Sequence, residues 1–378
     1  MNDFTHDIDA EEIIRLVEGS QLPDLNGYDP FSLEEIMEGR KVPGVSVAVI
    51  KDFKVHWSKG YGVADILTGD KVTEKTRFQA ASISKAVNAM AVLKAAQDGA
   101  FSLDEDVNKS LKSWKVPTNP YSKEVPITPR MLASHTSGLG DGFGFPGYAP
   151  SSPIPSIIQI LNGESPTNVK KPEFGCPSLD AFSYSGAGSI ILQQLLMDTF
   201  SKDYAAIMEE LVLKPLEMNN STFLQPLPES MDTVAARAHD ASGNALDAKW
   251  RIYPEQSAAG LWTTPSDLAK FVIEVQKSLW NKSNKVLSVE NTQQMVNPVG
   301  VGEYGFGLRV LKEGQGWYFE HGGGNWGFRC QIFSHKIKGY GFAIMTNSSQ
   351  GSEIMNAFKY RIERHYGWDS IKKSFVIF

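Results

Sequence analysis

Residues 82–98 read SISKAVNAMAVLKAAQD, and the rest of the chain is best understood outward from them. Ile83, Ala86, Val87, Ala89, Met90, Ala91, Val92, Leu93, Ala95 and Ala96 make the stretch apolar on nearly every side, and a helix of that kind is buried inside a protein. Its first turn nevertheless carries Ser82 and Lys85, three apart and so on one face. An unpaired buried ammonium is costly, so the amine must find partners or give up its proton. A deprotonated lysine beside a serine hydroxyl activates that serine as a nucleophile. The helix N-terminus adds a positive potential suited to a developing oxyanion. The same spacing also fits an N-cap serine followed by a lysine that snorkels to the surface, and local context does not choose. Ser-x-x-Lys recurs at Ser370/Lys373, and about one or two matches are expected by chance. Ser370 sits in a polar tail with no apolar helix behind it, and it reads as noise.

Before this helix lies a hairpin. Val45–Ile50 is apolar or small on both faces, as in a central strand covered on both sides. Lys51–Lys54 reads as a turn and Val55–Gly60 as the returning strand. Residues 1–22 read as a tail with one short helix, Glu11–Val17, and a second helix spans Ser32–Arg40. After a long, mostly helical middle, sheet character resumes at Phe306–Val310, Trp317–His321, Phe328–Phe333 and Gly341–Thr346. A last helix, Ser352–His365, starts at a serine N-cap and carries Ile354, Phe358 and Ile362 on one stripe. Short turns within each strand group favour antiparallel pairing, with the first hairpin joining the later strands. The expectation is therefore one catalytic domain over residues 23–378 of α/β character (α+β type). Its sheet region covers about residues 33–80 and 255–366, and its helical region about 81–254.

Two further segments bear on chemistry. Phe182-Ser183-Tyr184-Ser185-Gly186 precedes an apolar helix, Ser189–Phe200, which puts Tyr184 in a loop at a helix start. Glu320-His321-Gly322-Gly323-Gly324 ends one strand, and Asn325-Trp326-Gly327 turns into the next. Glycines at a strand edge let a substrate approach the backbone and free an N–H to donate. Taken singly, Tyr184 also fits a lid over its helix, and the glycines a plain turn. Together, Ser82-Ile83-Ser84-Lys85, Tyr184-Ser185-Gly186 and His321-Gly322-Gly323 resemble, in order, the Ser-x-x-Lys, Tyr-x-Asn and Lys/His-x-Gly motifs of the serine β-lactamase and penicillin-binding-protein family. The resemblance is to the branch of class C β-lactamases, family VIII esterases and D-aminopeptidases. VPGVSVAVI from Val42, LASHTSGL from Leu132, AAGLWTTPSDLAKF from Ala258 and HGGGNWGF from His321 look like the same family.

The resemblance covers roughly residues 33–365 and implies a β-lactamase/transpeptidase-like fold, an antiparallel sheet flanked by helices with a large helical insertion. It implies Ser82 as the acyl-accepting nucleophile, Lys85 as its neighbouring amine and Tyr184 as the general base or acid. The N–H groups of Ser82 and Gly324 would form the oxyanion hole. Substrates would be small esters, amides or β-lactams, with no metal or organic cofactor. Gly186 replaces the asparagine, and His321 with Gly322 replaces the lysine and hydroxyl that bind a substrate carboxylate. Both departures point toward esterase-like work on neutral substrates. A β-lactamase, a D-amino-acid peptidase or amidase, a transacylase and a non-catalytic sensor are the alternatives. His321, Gly322, Gly323, Trp326 and Trp262 are candidates for lining the pocket, as are Phe143 and Tyr148 of the Gly-rich segment Gly138–Pro155. His135, in His-Thr-Ser-Gly-Leu, reads as a structural turn residue.

Composition narrows the rest. The 378 residues are 42% hydrophobic and 21% charged with a net charge of −6, ordinary for a globular protein. No dense Lys/Arg run appears, which argues against a nucleic-acid or anionic-membrane partner. No apolar run is long enough for a membrane span, and the polar start is not a signal peptide, which favours the cytoplasm. Cys176 and Cys330 allow one bridge at most, and the seven histidines form no zinc-type pair. Gly322–Gly327 matches GxGxxG in form but is followed by a strand, not a helix, so it is no dinucleotide site. The oligomeric state is open.

Overall fold

The structure is a computed structural model that describes residues 9–23, 29–121, 125–140 and 144–371. In chain order the elements that frame the site are α1 (Ala10–Glu18), α2 (Leu33–Gly39), β1 (Gly44–Lys51), β2 (Lys54–Gly62), α3 (Ile83–Gln97), α4 (Gly186–Phe200), α5 (Pro265–Leu279), β3 (Arg309–Glu313), β4 (Gly316–Asn325), β5 (Phe328–His335), β6 (Gly341–Thr346) and α6 (Ser352–Tyr366). The six strands form one sheet in the order β2-β1-β6-β5-β4-β3, antiparallel throughout. The N-terminal hairpin therefore joins the C-terminal strands through β1 and β6, with Val45 opposite Thr346 and Ile50 opposite Gly341.

The two apolar faces of β1 are explained by two cores. Ala48 and Ile50 face one core with Phe319, Ile332 and Met345, shared with α3, α4 and α5. Val45, Val47 and Val49 face the other, under α6, with Tyr318, Phe333 and Ile344. Alternate strand residues point to opposite faces, so a strand covered on both sides reads as a continuous apolar run. The helix expected near the N-terminus forms as α1, and its Ile13 and Val17 are fully buried in the second core. Buried Arg361 of α6 ties that segment down, donating to Asp29 Oδ2 at 2.6 Å and to the Val17 carbonyl at 3.0 Å.

Several boundaries differ from expectation: the helix read at Ser189–Phe200 already starts at Gly186, and the strand read at Trp317–His321 runs from Gly316 to Asn325. The strand read at Phe306–Val310 starts only at Arg309, because Gly307 (φ +83°) lies flat on α3, where an added Cβ would stand 2.4 Å from Ala89 Cβ. That contact takes the backbone out of strand geometry. The last helix is capped by Gly351, with Ser352 already helical. Ser370 is buried despite its polar surroundings, and Lys373 lies outside the described residues. Both cysteines are free thiols, and Cys330 Sγ donates to the Ala80 carbonyl at 3.0 Å. No helix among the described residues is long and apolar enough to cross a membrane. Among them no group of three His, Cys, Asp or Glu side chains is placed to hold a metal.

Candidate active site

The site assembles around the first turn of α3. Ser82 is its N-cap residue, yet its backbone is already helical (φ −66°, ψ −10°) and its hydroxyl caps nothing. The preceding residue, buried Ala81, has φ +46°, a left-handed conformation that a non-glycine residue adopts only where its surroundings impose it. The Ser82 hydroxyl instead accepts a hydrogen bond from Lys85 Nζ at 3.1 Å. Lys85 is 3% exposed and does not snorkel; its ammonium also donates to the Ala258 carbonyl at 2.8 Å. The cost of burying this amine is thus offset by partners on both sides. Within the same turn, buried Ser84 Oγ accepts from Leu261 N–H at 3.0 Å, fastening the 258–261 segment to the helix.

Tyr184 enters from the loop before α4, whose N-cap Ser185 accepts from Gly188 N–H at 3.0 Å. Lys85 Nζ lies 5.2 Å from the centre of the Tyr184 ring. The Tyr184 ring packs against His135 at 4.3 Å between centroids and tilted by 33°, with Tyr304 at 6.0 Å and His321 at 6.3 Å. His135 is a turn residue, as its φ of +60° shows, but it also belongs to this cluster: its Nδ1 accepts from Ser185 N–H at 3.1 Å. That bond requires a bare Nδ1 and puts the ring hydrogen on Nε2. His135 and Tyr304 are the participants that sequence reasoning missed. A ring contact between residues 135, 184 and 304 leaves no local signature in the chain.

His321 lies on β4, 2% exposed, with Nδ1 2.7 Å from the Gly322 carbonyl. A carbonyl only accepts, so Nδ1 carries the hydrogen and Nε2 is a bare acceptor. Burial, reinforced by the Lys85 ammonium, pushes the His321 pKa down to about 4 and holds His135 well below the ordinary histidine range. Both imidazoles are neutral near pH 7. Burial likewise raises the Tyr304 hydroxyl, with Tyr184 adding to the shift.

The glycines have separate duties. β3 pairs with β4 only over Gly316–Glu320, so among the described residues His321–Asn325 has no strand on that side. At Gly323 an added Cβ would lie 2.5 Å from both the Ala80 carbonyl and Cys330 Sγ, and 3.1 Å from Ala81 Cβ. Only glycine lets β4 approach the residues just before Ser82. Gly322 is open, with nothing closer than 3.9 Å, and Gly324 lies beside the Arg329 side chain. Buried Asn325 closes the frame, donating to Gln79 Oε1 at 2.9 Å and the Ala259 carbonyl at 3.0 Å.

The sequence model of the family described as Beta-lactamase matches residues 32–364. The chain belongs to the beta-lactamase family. Among its relatives, "Protein flp" of Staphylococcus aureus strain MW2 is 27% identical over 289 residues, 71% of this chain and 54% of that protein. A Staphylococcus aureus "Teichoic acid D-alanine hydrolase" is 23% identical over 78% of this chain and 67% of that protein. The chain thus spans only about half the length of the first of these family members. The fold is shared with the octameric penicillin-binding protein homologue from Pyrococcus abyssi (TM-score 0.70, 24% identity, 89% of this chain and 77% of that one). It is shared too with the D-amino acid amidase from Ochrobactrum anthropi SV3 (TM-score 0.70, 19% identity, 95% and 100%).

Two of the pocket candidates from sequence, Trp262 and Tyr148, are buried. Trp262 has no exposed surface; it packs between Trp250 and Phe328 in the core and cannot line a cleft. Tyr148 is buried, and its hydroxyl bonds Thr167 and Asn168 to pin the 144–152 loop. Phe143 lies outside the described residues. Trp326 is half-buried beside the glycines, its N–H donating to Tyr253 Oη at 3.1 Å and its ring covered by Arg251 at 4.4 Å. A cleft of about 570 Å³ opens at the first turn of α4, walled by the apolar Phe145, Val169, Ala187 and Ile190 and by the charged Lys170, Lys171 and Glu173.

Proposed function

We propose that the protein hydrolyses small neutral acyl esters through an acyl-enzyme on Ser82. The observation that carries this reading is the buried Lys85 ammonium bonded to the Ser82 hydroxyl at 3.1 Å, with the Tyr184 ring against it. In the first half-reaction Ser82 Oγ bonds to the carbonyl carbon and its proton passes to the Lys85/Tyr184 pair, which acts as base once it has given up one proton, from the Lys85 ammonium or from the Tyr184 hydroxyl. The N–H groups of Ser82 and Gly324 hold the oxyanion. Collapse breaks the bond to the alkoxide, which takes the proton, and water repeats the sequence to release the acid. Preference for an uncharged substrate is supported by His321: a neutral acceptor stands where related sequences place a lysine for a substrate carboxylate. The apolar part of the cleft beside α4, Phe145, Val169, Ala187 and Ile190, is the proposed seat of the acyl chain.

A second reading, hydrolysis of D-amino-acyl esters or amides, is supported by the likeness to the teichoic acid D-alanine hydrolase and the D-amino acid amidase. One experiment separates them: turnover of p-nitrophenyl butyrate, D-alanine p-nitroanilide and a chromogenic cephalosporin by wild type and Ser82→Ala. Butyrate turnover lost in the variant supports the ester reading. Turnover of the anilide alone favours the amidase, and wild-type rates in Ser82→Ala would overturn both.

A further inference from the structure

At the end of the sheet opposite the site, the fold gathers an exposed aromatic and basic surface. The strand register puts four segments there: the β1–β2 turn (51–54), the β3–β4 turn (312–317), the β5–β6 turn (336–339) and the residues after α5 (280–285). They are contiguous. Trp280 Nε1 donates to the Ile337 carbonyl at 2.7 Å, Phe53 N–H to the Gly339 carbonyl at 2.9 Å, and Lys336 N–H to the Trp317 carbonyl at 2.8 Å. Lys282 Nζ sits 5.3 Å from the Phe53 ring and 5.5 Å from the Trp280 ring.

Trp317, Trp280 and Ile337 are 53%, 50% and 47% exposed, unusual for side chains of this size. These four segments hold seven lysines and only two carboxylates, Asp52 and Glu313, in a chain whose net charge is −6. Glu313 is held by Lys359 of α6, and Lys338 and Lys285 hold Asp369 and Glu217. Among the described residues Lys54, Lys282, Lys312 and Lys336 meet no carboxylate, so the surface remains basic after those pairings. No single run of sequence shows this, because the lysines come from four separate turns.

We propose that this surface docks on an anionic lipid membrane. Tryptophans with one apolar body and one polar tip favour the bilayer interface, and nearby lysines are drawn to its negative potential. An anionic polymer alone would engage the lysines and give Ile337 and the two tryptophans nothing to bury against. Counted at about 3.3 Å per residue, the seven steps from Trp317 to Gly324 hold the reactive end of β4 about 23 Å from the docked face. The active site stays open while the protein is bound.

Co-sedimentation with vesicles tests this, comparing pure phosphatidylcholine with a phosphatidylcholine–phosphatidylglycerol mixture. Wild type is expected to bind the anionic vesicles only, and to release as salt screens the lysines. Each removed lysine is expected to weaken binding about fivefold, so Lys54→Gln with Lys282→Gln loses about 25-fold. Trp280→Ser with Trp317→Ser abolishes binding at unchanged charge. All four side chains are far from Ser82, so ester turnover of the variants stays at the wild-type value. The proposal is overturned if wild type ignores anionic vesicles or binds neutral ones equally. It is also overturned if inorganic polyphosphate competes and the tryptophan variants bind as wild type does. Vesicle binding that appears only after residues 372–378 are removed would overturn it too, because the chain's own end would then be the occupant. The wild-type lipid and salt series decides the matter even if a variant fails to fold.

Discussion

Gly323→Ala and Gly322→Ala form a matched pair whose members should behave very differently. At Gly323 the new methyl would stand 2.5 Å from a backbone oxygen, Ala80 O, and 2.5 Å from Cys330 Sγ. Ordinary contact begins near 3.4 Å, so about 0.9 Å must be found by moving β4 or the Ala80–Ala81 segment. Neither neighbour is the end of a flexible side chain, and Ala81 is already held at φ +46°. Overpacking of this kind costs about 1–3 kcal/mol. For a chain of this length each kcal/mol lowers the melting temperature by about 1 °C. The catalytic cost is larger, because the movement falls between Ser82 and Gly324, and about 1 Å of misplacement costs on the order of 10²-fold. At Gly322 the methyl meets only Cys330 O, at 3.9 Å, and stability should change by less than about 0.5 kcal/mol. The assay is kcat/KM on p-nitrophenyl butyrate, or on whichever acyl substrate wild type turns over, beside a thermal melt. Gly323→Ala with near-wild-type activity, or equal damage from Gly322→Ala, would refute the close approach of β4 to the nucleophile.

Other outcomes follow from the same geometry. Ser82→Ala and Lys85→Ala each abolish turnover while the circular dichroism spectrum is kept, and Ser370→Ala leaves turnover unchanged. His135→Phe keeps the ring against Tyr184 but removes the acceptor for Ser185 N–H; kcat should fall about 10-fold or more with KM little altered, as expected of a positioning residue. Glu255 is fully buried with neither carboxylate oxygen bonded, and burial raises its pKa to about 8. The unfolded chain releases that proton near pH 4.5, so stability drains away as pH rises from 4.5 to 8; Glu255→Gln should flatten this slope in urea titrations. His321 works in the opposite direction. Between pH 6.5 and 4 the unfolded chain binds a proton the folded protein refuses, at a cost of up to about 3 kcal/mol. Denaturation of His321→Gln measured across that range should lack this acid-side loss.

Much of this protein was legible without coordinates because its strongest signals are local. The all-round apolarity of Ile83–Gln97 required burial, and a lysine in its first turn required partners. The alternation-free run Val45–Ile50 required cover on two faces, and α1–α2 with α6 on one side and α3–α5 on the other supply it. The order of Ser82, Lys85, Tyr184 and the His321 glycines carried the family and the fold. What the sequence left undecided depends on residues far apart in the chain. In the sequence Trp262 fits a pocket wall as well as a packed core, and only the enclosure by Trp250 and Phe328 decides for the core. His135 is a turn residue by its flanks and a neighbour of Tyr184 only after a loop has travelled some fifty residues and returned. The strand expected at Phe306 yields to the contact of Gly307 with Ala89, a packing constraint stronger than strand propensity. The absence of a basic run spoke against an anionic partner, yet four turns at one end of the sheet bring seven lysines together around two exposed tryptophans. Burial and helical period are properties of a segment, so the sequence by itself determines them. Neighbours, electric field and surface are properties of an assembly, which exists only once strands distant in the chain have paired.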